Sequence, residues 1–406
     1  MSSSIVTDTN DQYSWDTIET VFDDYGEIIE RITSYDNGIQ KIESFLGGQI
    51  QFIAQVDTLD ISNWNYKLSE FDQYGNLSSR GTVLDNGISY QWYYELGQLS
   101  EFVQIDHNNA KSWDHIFATY TENGEISERS VLYDNGIGLY EEYEAGQIAF
   151  SYKRDQNDVA NWTSIETIYD EYGSKLNRTT LYDSGQIKYE SFENGTRRAT
   201  EQYDGFLPWE APSEDGGAYS WESIYTIYDA SGELEHRETT YDNGVSKEEF
   251  FENGKNVETI KLDLENAETW DSIVFNYDSD GRIAQSTTQY DDGRSKELIY
   301  EEGQLKAVYI SDNADAYGWS GKLSVYDDDS HRYFAGTEYD DGDAIIWLFE
   351  NDIKQERIEV DGDESESWLM KVTQYGDSGP NTVYYDEYDD IPVDYIDYLP
   401  MYAEQF

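Results

Sequence analysis

The residues best supplied for chemistry in this chain are carboxylates, 85 Asp and Glu against 26 Lys and Arg, for a formal charge of −59. Two acids beside a glycine make a ready oxygen cluster for a hard cation, because the glycine frees the backbone to fold around it. Turns of this form include Asp23-Asp24-Tyr25-Gly26, Asp278-Ser279-Asp280-Gly281, Asp291-Asp292-Gly293 and Asp340-Asp341-Gly342. Asp23, Asp24, Asp278, Asp280, Asp291, Asp292, Asp340 and Asp341 are therefore candidate Ca2+ ligands. No stretch carries a complete EF-hand loop, so such sites would be of another kind. The same residues have a plainer use, since Asp and Asn sit in turns for their local hydrogen bonding and tolerance of positive φ. Both readings stand at this point.

Aromatic side chains are the second resource. Trp92 and Trp347 occupy equivalent places in two repeats and are extra to the regular Trp series, and Trp209 is flanked by Phe206 and Pro208. Each could stack on a sugar ring or simply pack, so all three are candidate ligand-binding residues. Catalysis has less support. Cysteine is absent, the four His share no repeat position or metal-ligand spacing, and no Gly-rich phosphate loop or Gly-x-Ser-x-Gly elbow occurs. Carboxylate pairs can be drawn almost anywhere, which makes them uninformative as a glycosidase signature. The expectation is a protein that is not an enzyme. Its charge has the wrong sign for nucleic acid, and no run of about 18 apolar residues predicts membrane insertion. The first residues lack the basic and apolar parts of a cleavable export signal.

The elements that position these residues follow from an internal repeat. Trp15, Trp64, Trp113 and Trp162 are 49 residues apart, as are Trp221, Trp270, Trp319 and Trp368, with a step of 59 between the two series. The expected organisation is repeats one to four over 1–203, an insertion at 204–217, and repeats five to eight over 218–406 with a degenerate C-terminal cap, as one continuous repeat domain. Within a repeat the markers are an aromatic with an acidic turn, then Tyr-Asp-Asn-Gly (Tyr35–Gly38, Tyr133–Gly136, Tyr241–Gly244), then a further Gly turn. Asn-Gly and Asp-Gly between short runs rich in Thr, Ile and Tyr mark tight hairpins. The chain is therefore all-β, eight repeats of four antiparallel strands of roughly seven to nine residues. Two architectures fit: an open, twisted or coiled repeat sheet, preferred because the strands carry charge freely, and an eight-bladed propeller. Arg31, Arg80, Arg129, Arg178 and Arg237 lie sixteen residues after the first five of the eight repeat Trp, and each is expected to pair with a carboxylate of its own or the next repeat.

The segment Phe275-Asn276-Tyr277-Asp278-Ser279-Asp280-Gly281-Arg282-Ile283, with Gly293 further on, resembles the YD repeat of bacterial RHS-type and teneurin-type proteins. The stretch from Tyr133 to Ile148 is also similar to variant MORN repeats. In composition the chain looks like the acidic, Cys-free repeat proteins that bacteria export by type I systems. That last resemblance implies an extracellular or cell-surface location reached without a signal peptide. It does not bring calcium with it, because no Gly-Gly-rich nonapeptide array is present. The combined reading is a structural or adhesive repeat protein, calcium-stabilised, with a protein or glycan surface partner or with itself as partner. A glycan-binding propeller lectin is the alternative, and an intracellular immunity or antitoxin-like binding protein is the reading that the MORN similarity implies.

Overall fold

The computed structural model describes residues 1–205, 219–376, 379–392 and 395. Among them lie 31 strands and one short 3-10 turn, Tyr388–Asp390, so the chain is all-β. Repeat one shows the plan, with strands Trp15–Phe22, Ile28–Tyr35, Ile39–Leu46 and Gln49–Asp57. Each strand pairs antiparallel with the next. The strand Ser2–Thr7 precedes this repeat and pairs with Trp15–Phe22, in the place that a fourth strand takes before each later repeat. The described residues fall into two compact units, one built on Met1–Arg197 and the other on Arg198–Asp204 and the residues from Tyr219 onward.

Continuity across repeat boundaries decides between the two architectures. Propeller blades are separate sheets, so the fourth strand of one should not hydrogen-bond to the first strand of the next. Here it does so at every described boundary: Phe52 faces Glu70, Phe102 faces Ala118, Phe150 faces Ile168, and the same pairing recurs through the second unit. The sheet is an open repeat sheet, and the propeller reading is overturned by this unbroken ladder. A second correction concerns the last repeat. It shows two strands among the described residues, Met370–Gly376 and Gly379–Tyr385, instead of four. After them Ile391 and Tyr395 pack with Phe334, Ile346, Ile358, Met370 and Val372, an apolar cluster that closes one face of the final strands.

Turn chemistry fixes the strand ends. The turn between third and fourth strands places two consecutive residues at positive φ, as at Leu96 (50°) with Gly97 (81°) and Asn253 (51°) with Gly254 (73°). This is the two-residue turn whose twist matches an antiparallel hairpin. Leu96 is fully exposed there and gains no packing in return. A left-handed L-residue costs roughly 1–2 kcal/mol, and Asn reduces that cost by bonding locally. Leu96→Asn is expected to raise stability by about 0.5–1 kcal/mol in urea unfolding, with the fold unchanged by circular dichroism.

The Tyr-Asp-Asn-Gly turn has a different task. Gly136 (φ +84°) accepts the amide of Gln156 at 3.1 Å, clasping the connector that leaves the fourth strand. A Cβ at Gly136 would lie 2.2 Å from the Asn157 side chain, so this glycine is required by close approach as well as by φ. The connector itself is tied by the Asp that ends the fourth strand. Asp57 accepts the Ser62 amide at 2.5 Å, Asp106 that of Lys111 at 2.5 Å, Asp155 that of Ala160 at 2.6 Å and Asp263 that of Glu268 at 2.6 Å. These bonds to the charged form hold Asp57, Asp106 and Asp263 below the ordinary carboxylate range, against burial, which is the largest influence on Asp106 and Asp263 and acts upward.

Candidate functional site

Strand direction sends the turns to two rims. First-to-second and third-to-fourth turns lie on one, and Tyr-Asp-Asn-Gly turns with the repeat connectors lie on the other. Asp23, Asp24, Asp278 and Asp280 are on the first rim, where most of their capacity is taken locally. Asp23 Oδ1 accepts the amides of Tyr25 and Glu27, both at 2.8 Å, and Asp24 meets the Met1 amino group at 2.5 Å. Asp278 accepts the amides of Asp280 and Arg282, and Asp280 pairs with the Arg282 guanidinium at 2.6 Å.

Asp291, Asp292, Asp340 and Asp341 are on the second rim, in more crowded company. Asp292 pairs with Arg294 at 2.7 Å and accepts the Tyr317 hydroxyl. Asp291 is pushed above the usual range by burial and by Asp271, Asp263 and Asp292. Asp340 is raised by burial and by Asp315, Asp312 and Asp341. The same crowding lifts Asp36, through burial and Asp16, Asp11 and Asp8, and Asp85, through burial and Asp60 and Asp57. A further acidic group lies beyond the eight candidate ligands. Carboxylate oxygens of Asp343, Asp361 and Asp363 lie within 4.8 Å of one another. The available signal was the doubled Asp-Gly-Asp at 341–343 and 361–363, whose backbones approach closely enough for the Gly362 amide to donate to Asp343 at 3.1 Å.

Between the rims runs a row of central residues, one per strand, all on one face. In the first unit it reads Thr20, Arg31, Glu43, Ile53, Ser69, Arg80, Trp92, Phe102, Ala118, Arg129, Glu141, Ser151, each facing the next across the ladder. In the second it reads Thr226, Arg237, Glu249, Thr259, Phe275, Ser286, Leu298, Val308, Ser324, Ala335, Trp347, Arg357. Four of the five recurrent arginines thus meet a glutamate of their own repeat, Arg129 and Glu141 at 3.1 Å, Arg237 and Glu249 at 2.6 Å, Arg31 and Glu43 at 3.8 Å, and Arg178 and Glu190, whereas Arg80, expected to pair with a carboxylate, lies over Trp92 instead. Burial would raise Glu249, but Lys247 and Arg237 overrule it and hold the carboxylate low.

Trp92 and Trp347 stand where other repeats place that glutamate. Trp92 stacks on Tyr90 with centroids 5.7 Å apart and lies under Arg80 and beside Phe102. Trp347 receives Lys354 Nζ at 3.7 Å over its ring and stacks on Tyr375 at 6.0 Å. Both are half-buried members of the row, engaged by in-sheet partners. Trp209, with Phe206 and Pro208, lies outside the described residues.

Row, rims and unbroken ladder together define an all-β tandem-repeat protein with an open sheet. No protein-family model matches the chain, and no curated protein matches it. Among solved structures it is similar to the crystal structure of TcdB2-TccC3-TEV, at a TM-score of 0.19 and 11% identity over 93% of this chain and 26% of that one. TcdB2-TccC3 without its hypervariable C-terminal region gives 0.19 and 11%, over 93% and 22%. Sqt1 of Saccharomyces cerevisiae gives 0.16 and 13%, over 80% of this chain and 93% of that protein. The chain thus spans about a quarter of the length of the first two. No helix among the described residues is long and apolar enough to cross a membrane.

Proposed function

We propose that the chain is a non-enzymatic structural or adhesive repeat protein, acting outside the cell, that presents a multivalent anionic and aromatic-rich β surface. The observation that carries this reading is the return of the same acids to the same rim. Asp36, Asp85, Asp291 and Asp340 hold equivalent turn positions, and each is crowded by the acids of the adjoining connector. A function built on many equal contacts uses such repetition, whereas a reaction centre needs one place that differs from the rest. Calcium fits the same rim, because a divalent cation relieves repulsion that recurs with every repeat.

The test is a pair of measurements on the full chain. Thermal unfolding is expected to shift upward by several degrees in millimolar calcium relative to chelator, with magnesium giving less. Beads coated with the chain are expected to adhere to cells or to one another more strongly in calcium. An unchanged midpoint removes the cation from the proposal, and beads that adhere to neither cells nor each other overturn the adhesive role.

A further inference from the structure

Repeat five differs from the others on the face that carries the row. Lys247 on its third strand lies directly opposite Lys261 on its fourth. The equivalent pairs are Lys41 with Gln55, Tyr90 with Gln104, Leu139 with Lys153, Lys296 with Ile310, and Ile345 with Glu359. Like charges directly opposite on a sheet are destabilising, so two facing lysines are not there for the strand pairing. Lys247 reaches Glu249 at 2.7 Å. Lys261 makes no ion pair among the described residues and lies 5.8 Å from the Phe275 ring centroid.

These lysines line a cavity of about 580 Å³ with Tyr241, Val245 and Trp270, a volume within the roughly 300–1,000 Å³ usual for small-ligand sites. Trp15, Trp221 and Trp319 are each stacked by a tyrosine two residues earlier. Trp270 has Glu268 there instead, and its ring has no aromatic or cationic partner among the described residues. Asp242 and Glu268 at the margin are acceptors for hydroxyl groups.

We infer that this cavity is a binding site for a sugar that bears a carboxylate. The pyranose face lies on Trp270 and Tyr241, the carboxylate meets Lys261 and Lys247, and hydroxyls donate to the marginal acids. The site is independent of the multivalent reading, since it is built where one repeat departs from the pattern. Hexuronates and sialates share the required chemistry.

Calorimetric titration of the full chain with sodium glucuronate, N-acetylneuraminate and neutral methyl glucoside tests it. At least one acid is expected to bind tenfold or more tightly than the neutral sugar, and the stronger of the two identifies the source. Lys261→Gln is expected to remove that preference without lowering the unfolding midpoint, because it separates no favourable pair and Gln55 and Gln104 occupy the same position in other repeats. Lys261→Arg is expected to retain it. Equal affinity for acidic and neutral sugars, no binding of any of the three at millimolar concentration, or full acid binding by Lys261→Gln would each overturn the proposal.

Discussion

Glu249→Ala is expected to destabilise the chain by about 2–3 kcal/mol in urea unfolding, among the largest effects of any single truncation in the row. Its side chain is 9% exposed and is held by Arg237 at 2.6 Å and Lys247 at 2.7 Å. Removing one partner of a buried pair costs roughly 3–5 kcal/mol, because the other charge is stranded. Arg237 is 40% exposed, so water recovers part of that loss and the expectation is reduced accordingly. Repeat six contains its own control. There the same three positions are Ser286, Leu298 and Val308, an uncharged and mostly apolar arrangement with the backbone pairing unchanged. The triple change Arg237→Ser, Glu249→Leu, Thr259→Val is therefore expected to return stability to the starting value or above, as replacing a buried ion pair by packed apolar groups often does. If the triple variant is no more stable than Glu249→Ala, the two arrangements are not interchangeable solutions of one row.

The unfolding midpoint is expected to rise modestly as pH falls toward the ordinary carboxylate range, and to drop steeply once it passes below about 4. Two sets of acids act in opposite senses. Asp36, Asp85, Asp291 and Asp340 have folded-state pKa values above the ordinary value of about 3.9, through burial first and neighbouring acids second. Such groups bind protons more readily folded than unfolded. Their penalty is present above the folded pKa and is relieved as pH falls through it. Asp57, Asp72, Asp106, Asp229, Asp263 and Asp278 are lowered by hydrogen bonds to the carboxylate; for Asp106 and Asp263 burial is the largest single influence and acts upward, but the bonds together overcome it. They stabilise the fold above the unfolded pKa, and that stability goes as pH falls below it. Discharging a chain of −59 acts in the same direction as the first set. Salt at neutral pH should reproduce part of the rise by screening. A midpoint that only falls as pH approaches the ordinary carboxylate range would mean that crowding on the second rim does not govern stability.

Much of this architecture can be read in the sequence because its signals are local and recur. Trp spacing marks the repeats, and each Gly turn marks a strand end, so six repeats begin their first strand at the expected Trp. Pairing of the arginines with carboxylates could be anticipated for the same reason. Other features depend on register, which no single segment contains. The equivalence of Trp92 and Trp347 is visible in spacing, but their place in a row otherwise held by Glu43, Glu141 and Glu249 emerges only once strands are aligned. The opposition of Lys247 and Lys261 is likewise a property of two strands. The anchoring role of Asp57, Asp106, Asp155 and Asp263 was open to view as an Asp returning at each connector. A residue there reads as a plain turn former until its bond five residues on is seen. That the last repeat is degenerate is legible in its sequence, but its reduction to two described strands is not, because Trp368 keeps the period after the strand pattern has stopped.

The unbroken ladder has a mechanical corollary. Within each unit every strand is bonded to its two chain neighbours, so tension drawn across the strands would load one ladder at a time and not all together. Strands would peel in sequence, and a released repeat of 49 residues would add roughly 160 Å of contour at about 3.3 Å per residue. A sheet of this kind behaves under load as a tether that yields in increments and regains its length, hairpin by hairpin, when the load is removed.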